Sequence, residues 1–94
     1  MLNIVYHSQF KKDYKRALKR GCDPQFLADI VTILANGEPL PAKNRDHALV
    51  GNYVGMRECH IQPDWLLIYS KEDEGELHIL NLVRTGTHSD LFKK

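Results

Sequence analysis

Four of the five histidines lie at position 47 or beyond in the 94-residue chain, and three of them, His47, His60 and His88, fall at ends or connections of predicted elements. Element ends carry exposed chemistry on a rigid scaffold, so these positions suit function. Asp64 follows the Gln62-Pro63-Asp64 turn directly after the strand that ends near His60. An antiparallel hairpin therefore brings His60 and Asp64 together. Arg84 ends the last of three predicted strands, and the alternating direction of a meander returns it to the same end. His88 and Phe92 stand four residues apart on a short terminal helix, which presents imidazole and ring on one side.

The set contains groups that titrate near neutrality, a carboxylate to orient one of them, a permanent cation and aromatic rings that stack. Metal-independent cleavage of RNA at its own 2′-hydroxyl needs such parts. A base takes the hydroxyl proton, a cation meets the developing phosphorane charge, and an acid serves the departing 5′-oxygen. Histidine, with a free pKa of about 6.5, serves in either protonation state. Each residue also has a structural use. His60 and His88 can be hydrogen-bonded structural histidines, Asp64 can stabilise its turn, Arg84 can pair with an acid, and Trp65 and Phe92 can be partly core. His47, His60, His88 and Asp64 are also competent metal ligands. No His-x-x-x-His or cysteine pair accompanies them, and Arg84 would repel a dication, which argues against a metal site. The chain has no Gly-rich phosphate loop, no Gly-x-Ser-x-Gly elbow and no dinucleotide fingerprint. His7 and His78 have no place in the set.

The elements that must position these residues follow from periodicity. Leu2, Ile4 and Tyr6 alternate with Asn3, Val5 and His7, which predicts a short first strand. Ser8 is placed to cap a helix whose apolar stripe is Phe10, Tyr14, Ala17 and Leu18, and which stops at Gly21. Asp23-Pro24 starts a second helix carrying Phe26, Leu27, Ile30, Val31, Ile33 and Leu34 and ending near Asn36-Gly37. Residues 38–47, with Pro39 and Pro41, read as a connecting loop. Three strands are predicted at Val54 to Ile61, Trp65 to Ser70 and Leu77 to Val83, and Thr87 with Asp90 forms a capping-box start for a terminal helix. The expected architecture is one α+β domain over residues 1–94, with a helical hairpin packed on a four-stranded, mainly antiparallel sheet and a short C-terminal helix.

With 43% hydrophobic residues and a formal net charge of +1, the chain is not of the disordered class. Its charge is segregated. Residues 8–20 hold Lys11, Lys12, Lys15, Arg16, Lys19 and Arg20 against Asp13 alone, a local +5, and the remainder has seven basic and eleven acidic residues. Such a stripe is either a solvated helix face or a surface that attracts phosphate backbones through counterion release. The longest apolar run, Trp65 to Ile68, is far short of a membrane span, and no signal peptide is visible. A cytoplasmic protein without a membrane partner is expected, with Cys22 and Cys59 reduced and used in packing.

The segments Asp46-His47-Ala48-Leu49, His60 through Tyr69 and Arg84 through Phe92 together resemble the YafQ-like branch of the RelE/ParE toxin superfamily, over nearly the whole chain. The resemblance implies a RelE-like microbial ribonuclease fold and the toxin of a type II toxin–antitoxin pair, cleaving messenger RNA on the translating ribosome without a cofactor. It implies His47, His60, Asp64 and His88 as acid/base residues, Arg84 as the phosphate-binding cation, and Trp65 and Phe92 as residues that hold the RNA. Lys11, Lys12, Lys15 and Arg16 are the candidate contacts to its backbone. Acid and base are open, with His88 favoured as acid and His47 as base, because substrate phosphate favours a protonated His88. A cognate antitoxin is the implied partner, reaching operator DNA on the toxin's behalf. The alternative within the superfamily is a non-catalytic ParE-like toxin that inhibits a protein target by binding.

Overall fold

The structure is a computed structural model and describes residues 1–92. Strand β1 (Asn3–Tyr6) leads into helix α1 (Ser8–Lys19) and helix α2 (Pro24–Ala35). A short 3₁₀ turn (Ala42–Asn44) precedes β2 (His47–Ala48), and a second (Gly51–Tyr53) precedes β3 (Arg57–Gln62). Strands β4 (Trp65–Glu74) and β5 (Leu77–Gly86) form a long hairpin, and helix α3 (His88–Leu91) follows. The sheet order is β1-β5-β4-β3-β2, antiparallel throughout except for the parallel β1–β5 pair. No helix among the described residues is long and apolar enough to cross a membrane.

The α+β architecture is the expected one, with a fifth strand added. That strand has two residues, too few to display an alternating pattern, and it lies where a loop was expected. The predicted strand at Val54 begins instead at Arg57, because Val50 and Val54 are exposed on the 3₁₀ connection. The cap of α1 also differs: His7 holds the N-cap position without a side-chain bond to the helix, its ring instead meeting Asn81 Oδ1 at 3.0 Å, and Ser8 is already helical. Asp23 caps α2 as predicted, accepting from the Gln25 amide at 2.9 Å, with Pro24 in the first turn.

Strand alternation sends Trp65, Leu67 and Tyr69 to one sheet face, where they pack with Leu80, Leu82 and the apolar sides of α1 and α2. Leu66 and Ile68 face the other way, and Leu91 of α3 closes over them with Tyr53 and Val83 at the margin. The terminal helix thus seals part of the face that the hairpin leaves open. Helix α3 has only four residues, too few to persist alone. Its capping box is complete, Asp90 N–H to Thr87 Oγ1 at 3.1 Å and Thr87 N–H to Asp90 Oδ2 at 2.9 Å. Asp90 also accepts from Arg20 at 2.5 Å, which ties α3 to the end of α1. Gly86 is required beside it, since at φ +156° any Cβ would stand 2.9 Å from Asp90.

Leu18, expected on the apolar stripe of α1, is exposed, and Asp13 is buried at 2% exposure. The reason lies in β5. Strand β1 pairs with β5 only as far as Leu82, so the β5 edge beyond it lacks a strand partner. Asp13 fills that edge, accepting from the Thr85 amide at 3.2 Å and from Arg84 Nε and Nη2 at 2.8 and 3.1 Å. Gln9 adds a third side-chain donor at 3.0 Å. Burial opposes the Asp13 charge, but the bonds from Arg84, Gln9 and Thr85 outweigh it and hold the carboxyl below its ordinary range.

Removing one partner of such a buried pair leaves the other uncompensated, so Asp13→Asn should lower stability by about 3–5 kcal/mol. Thermal or denaturant unfolding measures this. Because the folded pKa is depressed, the stabilisation is complete above the unfolded carboxyl pKa of about 3.9 and is lost as pH falls through the lower folded value. Acid unfolding of Asp13→Asn should accordingly have a shallower dependence on pH than that of the parent.

Candidate active site

Register places the charged residues. Arg84 of β5 is opposite Ile68 of β4, Ile68 is opposite Glu58 of β3, and Glu58 is opposite His47 of β2. Directly opposed residues share a face, so Arg84, Glu58 and His47 belong to one cross-strand row on the side away from the helical hairpin. The next row contains His60, Leu66 and Gly86, and the chain leaving Gly86 delivers His88 at the start of α3. Residues from four separate parts of the sequence reach one surface by strand pairing.

His88 is fixed by Asp64. The backbone N–H and Nδ1 of His88 both donate to Asp64 Oδ1, at 3.0 and 2.7 Å. With Nδ1 engaged, Nε2 is left to meet a substrate. The His88 backbone amide, then its ring, hold the Asp64 carboxyl below its usual range. The ring of His60 lies edge-on to His88, with centroids 5.5 Å apart.

His47 and His60 are linked by a residue that sequence reasoning missed. Glu58 is only 4% exposed, and its Oε1 lies at ion-pair distance from both imidazoles, 3.5 Å from His47 Nε2 and 3.7 Å from His60 Nε2. His47 Nδ1 donates to the Arg45 carbonyl at 2.6 Å, so its Nε2 edge is aimed at the sheet face. Buried carboxylates are costly unless a cationic or proton-bearing partner meets them, and here two imidazoles are at hand. Glu58 stands two residues before His60, and the two-residue period of a strand was the signal that could have found it.

Arg84 comes to the same face but is not a free cation. Asp13 holds its Nε and Nη2, and the ion pair with Asp13 followed by the Tyr53 hydroxyl raises its pKa further above the ordinary arginine value. It remains charged at every relevant pH, with its fork orientation set. The Trp65 expectation needs correction. Its ring is 3% exposed in the helix-side core, and its indole N–H donates to Thr85 Oγ1 at 2.9 Å, so it supports the wall and has no face to offer a nucleotide. Phe92 stays partly exposed beyond α3, with Tyr53 edge-on at 6.0 Å. Lys11, Lys12 and Lys15 are exposed along α1, which packs beside β5. Arg16 is engaged with Asp13 at 3.4 Å and Asp90 at 3.8 Å.

Among the described residues no three His, Cys, Asp or Glu side chains form a group able to hold a metal ion. Cys59 is buried and its thiol is pushed up to about 12 by burial, which suits packing and not nucleophilic attack. Chemically the face can hold an anion between fixed donors and can exchange protons through several imidazoles.

The Asp64–His88 contact is testable without substrate. A ¹³C titration of the Asp64 carboxyl should show a midpoint below the ordinary aspartate value, and His88→Ala should move it only part of the way back, because the backbone donor survives. An ordinary midpoint in the unmodified protein would contradict the geometry.

Residues 2–93 match the family described as the bacterial toxin of type II toxin–antitoxin system, YafQ. The mRNA interferase toxin YafQ of Escherichia coli K12 is 44% identical over 91 residues, covering 96% of this chain and 95% of the relative. The crystal structure of YafQ from E. coli BL21(DE3) superposes with a TM-score of 0.88 at 42% identity, covering 98% of this chain and 99% of that one. YafQ in the E. coli DinJ–YafQ complex gives 0.86 at 43% identity, with the same coverage. The sheet order, the imidazole-bearing face and this likeness over almost the full length lead to one conclusion: the chain belongs to the YafQ family of type II toxin–antitoxin toxins.

Proposed function

We propose that this toxin is an endoribonuclease that cleaves messenger RNA on the translating ribosome by attack of the 2′-hydroxyl on the adjacent phosphate, without a metal. The observation that carries the proposal is the gathering of His47, His60 and His88 with Asp64, Glu58 and Arg84 on one open sheet face. An E. coli relative bears the name mRNA interferase, and another is found in complex with DinJ, which supports the activity and a cognate antitoxin as partner. Any contact with operator DNA would come through that antitoxin. Action on a translating message places the protein in the cytoplasm.

In this reading the P–O2′ bond forms as the P–O5′ bond breaks. His47 or His60, joined through Glu58, takes the 2′-hydroxyl proton. His88 Nε2 delivers a proton to the leaving 5′-oxygen while Asp64 stabilises the imidazolium through Nδ1. Arg84, charged and held by Asp13, meets the phosphorane oxygens with the edge of its guanidinium that Asp13 leaves open. Phe92 offers a ring for stacking, and Lys11, Lys12 and Lys15 offer charge for the backbone.

Cleavage of a message in a purified translation reaction tests this. His88→Ala should lower the rate by about two to four decades, and a chelator selective for zinc and other transition metals, at a level that leaves the Mg²⁺ needed for translation in place, should leave the parent's rate unchanged. Intact messages with the parent protein, or growth arrest that survives joint loss of His60, Asp64 and His88, would replace the proposal with a toxin that acts by binding alone.

A further inference from the structure

Beside His60 and His88 the face opens into a groove of about 540 Å³. One wall is the 3₁₀ turn with Lys43 and Asn44, continued by Arg45, and the other is the end of β3 with Gln62. The walls are registered to the imidazoles. Asn44, itself buried, donates from Nδ2 to the His60 backbone carbonyl at 2.7 Å. Arg45 is the one non-glycine residue with positive φ among those described, at +48°, and its carbonyl is the acceptor for His47 Nδ1. A bulky residue holding a left-handed conformation beside a site is a sign that its placement matters more than its strain.

The charge of this groove differs from that of the rest of the face. Arg16, Arg20, Arg57 and Arg84 each lie against a carboxylate. Lys43 and Arg45 are exposed and form no ion pair among the described residues. Their charge is therefore uncompensated close to His60 and His88. In addition, Asn44, which lines the groove, holds the one buried side-chain oxygen or nitrogen among the described residues without a hydrogen-bond partner, its Oδ1.

We propose that this groove receives the single-stranded RNA next to the scissile phosphate, with Lys43 and Arg45 on its phosphates and the Asn44 and Gln62 amides beside its base. The inference rests on the ribonuclease reading and adds to it the path of the strand. At the β5 end of the face lie Arg84 and α1, and at the β3 end lies this groove, so an RNA crossing the cross-strand row leaves through Lys43 and Arg45. Two unpaired cations flanking amide groups match a phosphate backbone with a base to read.

Two measurements test it. In the first, Lys43→Gln/Arg45→Asn, in which asparagine tolerates the left-handed backbone, is compared with the parent in cleavage of ribosome-bound message at several salt concentrations. KM should rise by on the order of tenfold or more with kcat little changed, and the slope of log KM on log salt should shrink by about 0.7 per lost phosphate contact. An unchanged KM and salt slope would overturn the groove while leaving the ribonuclease reading intact. In the second, the parent protein is titrated at low salt with an RNA oligonucleotide carrying a 2′-deoxy nucleotide, and amide shifts are followed by NMR. Shifts at Lys43, Arg45 and Gln62 support the groove even if the double variant folds poorly, and shifts confined to α1 overturn it. Binding in the groove by a parent protein that leaves messages uncut would support the strand path and defeat the ribonuclease reading instead.

Discussion

The carboxylate of Asp13 sits where β1 stops short and β5 continues, and three requirements meet on it. It takes the Thr85 amide that no strand accepts, it anchors the Arg84 guanidinium, and it fastens α1 to the sheet. Thr85 in turn gives its hydroxyl hydrogen to the Leu66 carbonyl and accepts the Trp65 indole N–H, so the same junction reaches the core through two further bonds. Without this ion the β5 edge would be unsatisfied and Arg84 would be a flexible surface cation. With it, the guanidinium, charged at any relevant pH, is held in a set orientation.

A second clamp, from Arg20 to Asp90, works on the other side of Gly86. Together the two hold β5 and α3 against α1, and between them the chain must turn to set His88 over Asp64. The first helix thus supplies positioning on its buried side and charge on its exposed side. Its arginines, Arg16 and Arg20, are spent on carboxylates, and its lysines are left facing solvent. A stripe that reads as uniformly basic in sequence therefore divides into structural arginines and available lysines.

Much of this was legible from residue order. Local signals identified both helices, the Asp23 and Thr87 caps, the tight turn at Pro63-Asp64, and the approach of Asp64 to the end of the His60 strand, because each depends on residues close in sequence or on strand direction alone. What escaped was non-local or two-sided. Asp13 looked like a lone counter-charge, and its burial is explained by partners 71 and 72 positions away. Trp65 looked like a stacking platform, yet pleating assigns it with Leu67 and Tyr69 to the helix-covered face. Glu58 was passed over because a single acid within a strand has no local motif, although its two-residue spacing from His60 marks the shared face. The two-residue β2 carries no periodicity and becomes a strand only through its pairing with Arg57 and Glu58.

The proposed cleavage depends on imidazoles and one oriented guanidinium acting on a phosphodiester whose nucleophile is its own 2′-hydroxyl. The chemistry of the cut ends tests this most directly. Mass spectrometry of fragments from a translated message should find a 2′,3′-cyclic phosphate or its hydrolysed 3′-phosphate upstream and a free 5′-hydroxyl downstream. A 3′-hydroxyl with a 5′-phosphate would mean that water was the nucleophile, and would contradict the roles given to His47, His60, Arg84 and His88.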